Sequence, residues 1–127
     1  MTTVPALGLI SLAALGAFGL GRLDHRQQPG GLTGHEWVAL EPAAREAWLQ
    51  GFLAGAATSQ AVATGAADSA ALQTAMLRLR REGSLEFPFA PNVYGARVAD
   101  FYHYEDRRAL PVWYAIWEVN RAVRSNQ

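Results

Sequence analysis

No charged side chain occurs before Arg22, and residues 4–20, "VPALGLISLAALGAFGL", carry Ser11 as their only polar side chain. As a helix this run spans ~25 Å at ~1.5 Å per residue, slightly short of a hydrocarbon layer of ~30 Å. Thr2, Thr3 and Gly21, with Arg22 snorkelling to the headgroups, bring it close to the ~20 residues a span needs. Pro5 falls in the first turn, where its missing N–H costs nothing. Leu9, Leu12, Leu15 and Phe18 recur at three-residue steps and are the expected membrane-anchor residues. Ala13, Ala17 and Gly21 fall four apart and would let another helix approach closely. A helix apolar on all sides needs a membrane or a large interior, and 127 residues in all leave no such interior.

A cleavable signal peptide is the competing reading. It normally has a basic n-region, a shorter apolar stretch and a small-residue cleavage site. The stretch "GAFGLG" offers small residues, but no Lys or Arg precedes the run. The expectation is therefore a retained transmembrane anchor over residues 1–22. Arg22 and Arg26 follow the run, so the positive-inside rule nominally places the remainder in the cytoplasm, on two charges with Asp24 between them.

Several chemistries are excluded by what is missing. With no cysteine there are no disulfides, thiolate nucleophiles, thiolate zinc sites, iron–sulfur clusters or c-type haem attachment. All eleven cationic residues are arginine, which excludes Schiff-base and P-loop lysines. From Leu32 onward nine arginines face ten acids, so the basic excess of a nucleic-acid binder is absent and no nucleic-acid partner is expected.

The stretch "DHRQQPGGLTG", residues 24–34, reads as a tether, giving a flexible linker over 23–34 and an extramembrane domain over 35–127. That domain reads as all-α, a small bundle of about four helices. The first starts at Pro42, with Ala44, Trp48, Phe52 and Ala56 one turn apart, Leu49 and Leu53 beside them, and Trp37 and Leu40 stapling back. The uncharged stretch between Glu46 and Asp68 is too rich in Gln, Thr and Ser for a second span. Gly51 and Gly55 within it suggest a close helix crossing. A second helix starts near Asp68 or Ser69 and ends in "RLRREG", with Gly83 as the left-handed stop. "SLEFPFAPN" is an extended connector whose Leu85, Phe87 and Phe89 lie across the core. Asn92 caps a third helix, and Pro111 starts the fourth, with Val112, Ala115, Ile116, Val119 and Val123 on one face. Trp48, Phe52, Trp113 and Trp117 are all expected to be largely buried.

Catalytic candidates are sparse. Asp100, His103 and Asp106 are spaced by three, but lack a fourth metal ligand. No serine lies in a nucleophile elbow, no glycine-rich loop follows a strand, and the apolar run has no histidine to offer a pigment or haem. No enzymatic activity, cofactor or metal is expected. The segment "HYEDRR", residues 103–108, must cross the surface, because four charges in six residues are not buried cheaply. Tyr104, Arg107 and Arg108 combine flat apolar area with bidentate donors and are the expected partner-binding residues. A solvated turn, with Glu105 and Asp106 pairing to their neighbours, is the alternative.

The patterns "WVALEPAAREAWLQGFLAG" and "VYGARVADFYHYEDRRALPVWYAI" resemble a loose group of small uncharacterised bacterial helical proteins, usually exported or membrane-tethered. The resemblance covers roughly residues 37–123, rests on core and turn residues, and brings no activity with it. The chain departs from the group at "HYEDRR", where an Asn commonly follows the acid. The group's exported location implies a periplasmic domain on a single-pass inner-membrane anchor, against the positive-inside count. The anchored amino terminus is also similar to the small accessory polypeptides of photosynthetic reaction-centre and light-harvesting supercomplexes. Together these imply a non-enzymatic accessory subunit whose partners are the lipid bilayer and integral membrane protein subunits. An exported, tethered module binding a small ligand or peptide is the alternative.

Overall fold

The computed structural model describes residues 31–126, which are all-α: five helices and one 3₁₀ helix, with no strand among the described residues. The anchor positions Leu9, Leu12, Leu15 and Phe18, and tether residues 23–30, lie outside the described residues. Among the described residues no helix is long and apolar enough to cross a membrane.

The domain begins before Pro42. Helix α1, Gly34–Ala39, is set by a capping box: Thr33 N–H donates to Glu36 Oε2 at 2.8 Å, and Glu36 N–H donates back to Thr33 Oγ1 at 3.4 Å. Its far end has no basic residue of its own. Arg45, from the next helix, donates there to the carbonyls of Trp37 (3.0 Å) and Val38 (2.7 Å).

Helix α2, Pro42–Ala63, opens with proline at its first position and runs 22 residues. It is long enough to serve two apolar clusters. Its first half packs Leu49 against α4, and its second half packs Ala61 against α3. Gly51 and Gly55 make no close crossing: a Cβ at either would meet nothing within 4 Å. Helix α3, Ser69–Arg81, is capped by Asp68, which accepts from Ala71 N–H. Ser84 N–H to Leu79 O and Gly83 N–H to Arg80 O, with Gly83 at φ +67°, form a Schellman motif. Arg78, Arg80 and Arg81 occupy the last turn, where the helix dipole favours cations.

The connector over residues 84–90 is fastened at both edges of one side chain. Gln60 donates to Ser84 O at 2.6 Å and accepts from Glu86 N–H at 2.9 Å. Phe87 and Phe89 are thereby turned inward onto Tyr94, at centroid distances of 6.2 and 5.9 Å. An aromatic chain runs from Trp37 through Trp48, Phe52 and Phe87 to Tyr94, mostly edge to face. Each such pair contributes about 0.5–1.5 kcal/mol beyond its buried area.

Helix α4, Pro91–Phe101, starts on Ala90 and Pro91, with Asn92 inside its first turn and not at the cap. The 3₁₀ helix η1, Glu105–Ala109, leads into α5, Val112–Arg124. Helices α4 and α5 pack on each other, and α1 packs on η1. Residues 32–34, placed in the tether by composition, belong to the fold. Gly34 N–H donates to Leu110 O (3.0 Å), Val112 N–H donates to Leu32 O (2.7 Å), and Thr33 pairs antiparallel with Pro111.

The tryptophans divide unexpectedly. Trp37 is the one fully buried, at 1 % exposure; Trp48 and Phe52 are half-buried against the core; Trp113 and Trp117 remain 49 % and 46 % exposed. The expectation that Trp113 and Trp117 fill the core is therefore wrong. Val112, Ala115 and Ile116 already complete the inward stripe of α5, and the tryptophans fall on its flank.

Candidate functional site

The C-terminal end of α4, η1 and the outer flank of α5 enclose an open groove of about 660 Å³. Its position follows from the core. Val98 of α4, its C-cap Tyr102, and Val112, Ala115 and Ile116 of α5 are buried, so Phe101, Tyr104, Tyr114 and Glu118 are turned to the opposite side and line the groove.

Arg107 is its most distinctive feature. The guanidinium carbon lies 5.1 Å from the centre of the Phe101 ring and 4.5 Å from that of Tyr104. Two aromatic faces thus hold the cation in place. Among the described residues no hydrogen bond or ion pair takes its side-chain donors. A planar guanidinium of this kind can offer two parallel donors to a carboxylate or carbonyl.

Arg108, paired with Arg107 in the sequence reading, is used differently. Its Nε donates to Tyr102 O at 3.1 Å, closing the end of α4. Tyr104 is 56 % exposed at the groove mouth. Glu105 and Asp106 are exposed in η1 and make no ion pair with Arg107 or Arg108.

The far wall is a polar relay on α5. Tyr114 Oη donates to Glu118 Oε1 at 3.0 Å, and Arg121 Nη2 donates to Glu118 Oε2 at 2.8 Å. The Arg121 hydrogen bond, then that of Tyr114, holds the Glu118 carboxyl below its usual range, and the same contact raises the Tyr114 phenol. Arg121 also lies over the Trp117 ring at 5.6 Å, and Tyr114 adjoins both Trp113 and Trp117 at about 6 Å.

Asp100 lines the groove, His103 sets its ring edge against Tyr104, and Asp106 stands on η1. These residues form no metal-holding cluster, nor does any other group among the described residues.

Sequence reasoning selected Tyr104 and Arg107 but missed Tyr114, Glu118 and the exposed tryptophans. The available signal was helical spacing: Trp113, Trp117 and Arg121 fall four apart, as do Tyr114 and Glu118. No family model matches the chain, and neither a curated protein nor a solved structure is significantly similar to it. The geometry is accordingly the ground for a functional reading.

Proposed function

We propose that this chain is a non-enzymatic, single-pass accessory subunit of a bacterial inner-membrane assembly, with a periplasmic helical domain that docks on an integral membrane partner through the α4–η1–α5 groove. The observation that carries the docking reading is Arg107, stacked between Phe101 and Tyr104 in the lining of the groove. A half-buried arginine flanked by aromatic rings is the composition enriched at interface hot spots. Two donors hold the Glu118 carboxyl below its usual range, which does not suit a general acid, and the non-enzymatic part of the reading rests on the sparse catalytic candidates of the sequence. The membrane part of the reading rests on the apolar run over residues 4–20. Photosynthetic supercomplexes enter only through the resemblance given above.

Purification in mild detergent tests it. The chain should co-migrate with a large complex, and Tyr104→Ala/Arg107→Ala should abolish co-migration while leaving the melting temperature within a few degrees. A wild-type chain that runs as a lone monomer would refute the reading. The groove's size, about 660 Å³, lies within the usual range of small-ligand sites and favours a second reading as a peptide- or ligand-binding module. A clean monomer stabilised by a saturating peptide or metabolite would establish that instead.

A further inference from the structure

We propose that the Trp113–Trp117 flank of α5 seats in the headgroup zone of the lipid bilayer, so that the domain lies on the membrane with its groove opening along the surface. This rests on the anchored reading above and specifies how the domain is oriented.

The first ground is the course of the chain. Gly34 pairs with Leu110, Thr33 with Pro111 and Leu32 with Val112, so going back along the chain moves forward along α5. A Cβ built on Gly31 falls 3.9 Å from Trp113 Cδ1. Gly31, the first described residue, therefore stands beside Trp113. Ten residues, 21–30, separate Gly31 from the apolar run. Their fully extended reach is at most ~33 Å at ~3.3 Å per residue, which keeps the domain close to the bilayer, and the point of attachment, Gly31, is beside Trp113.

The second ground is chemical. Trp113 and Trp117 expose about half of their surface, with Leu110 38 % exposed and the Tyr114 ring beside them. Indole and phenol rings have an apolar body and a polar edge, and they concentrate at headgroup level for that reason. Arg121 stands over Trp117 on the same flank, placed to snorkel. Its charge is matched by Glu118, so the patch gains little from anionic lipid. The anchor keeps the domain at the bilayer, and the aromatic flank sets which face meets it.

The test uses the full chain in phosphatidylcholine vesicles containing lipid brominated either near the headgroup or near the chain end. Bromine near the headgroup should quench tryptophan emission more strongly than bromine near the chain end. Trp113→Phe/Trp117→Phe, which keeps an aromatic ring at both positions, should lose most of that quenching. Adding phosphatidylglycerol should leave it unchanged. Four results overturn the proposal. Vesicle-bound chain with no bromolipid quenching leaves the anchored reading intact but takes this face off the bilayer. Quenching retained in the double variant assigns it to Trp37 or Trp48. Emission unaffected by bromolipid yet increasingly shielded from aqueous acrylamide as protein concentration rises gives the face to a second copy. Chain that fails to float with the vesicles overturns both readings together.

Discussion

The Tyr94 hydroxyl donates to Asn120 Oδ1 at 2.8 Å in the interior between α4 and α5, and Asn120 Nδ2 donates at 2.8 Å to Glu86 O on the connector. Asn120 is the one buried polar or charged side chain among the described residues, and both ends of its amide are satisfied. One side chain thus ties two helices and a loop together. Asn120→Ala strands the Tyr94 hydroxyl, an unsatisfied buried group that costs about 1–3 kcal/mol. Tyr94→Phe strands the Asn120 oxygen at similar cost. The Tyr94→Phe/Asn120→Ala pair removes both partners and should lose less than the sum of the singles in urea titration. Strict additivity would mean the two groups are not coupled.

Burial raises the Tyr94 phenol to about 12 from an ordinary value of 10.0 and shifts Tyr102 in the same direction. Between those values the unfolded chain loses protons that the native chain keeps. Stability is therefore intact below about pH 10 and falls as pH rises through the native value. Urea midpoints should drop steadily above about pH 10. Tyr94→Phe should be less stable at neutral pH yet show a shallower alkaline decline. An unchanged slope in that variant would show that Tyr94 does not set the decline.

The tryptophans should separate by stability. Trp37→Ala removes a fully buried ring and should cost about 3–5 kcal/mol, enough to unfold most of a domain this small. Trp113→Ala and Trp117→Ala remove half-exposed rings and should cost no more than about 1 kcal/mol. Thermal melts followed by circular dichroism decide it; equal losses at Trp37 and Trp113 would return Trp113 to the core.

Termini of helices were more legible in the sequence than faces. Asp68 and Gly83 bound α3 because capping is local chemistry, and the composition near them suffices. Helix α1 was missed because six residues are too few for periodicity, although Thr33 and Glu36 stood at capping-box spacing. The position of Asn92 misled because Pro91 had already begun α4. On α5 apolar and aromatic residues occupy both the inner stripe and the flank, so hydrophobicity alone did not say which side faces the core. The groove itself needs α4, η1 and α5 brought together in space, and no sequence spacing encodes that.

Gly34 illustrates a contact that outweighs a propensity. It lies in a helix, where alanine is ordinarily better by about 0.5–1 kcal/mol. Here an added Cβ would meet the Tyr102 ring and lie 2.8 Å from Arg108 Cα. The second neighbour is backbone and cannot rotate away, so α1 would have to lift from η1. Gly34→Ala should lower stability by about 1–3 kcal/mol, read by thermal melting. A wild-type melting temperature would mean that α1 shifts freely on η1.

Adjacent arginines in η1 should give opposite phenotypes. Arg108 serves the fold, its Nε closing the Tyr102 carbonyl at the end of α4, and losing a charge-assisted bond of this kind costs about 1.5–3 kcal/mol. Arg107 makes ring contacts worth about 0.5–1 kcal/mol each at a partly exposed site and lines the groove. Arg108→Ala should therefore lower the melting temperature while leaving the groove's chemistry in place. Arg107→Ala should melt nearly as wild type but lose the partner in mild-detergent purification. Arg107→Lys keeps the charge and gives up the planar fork, so it should also bind more weakly than wild type if the partner offers a carboxylate or carbonyl to both donors. Full retention of the complex by Arg107→Ala would show that the groove is not the docking surface; an Arg107→Ala domain that unfolds would make the residue structural, like its neighbour.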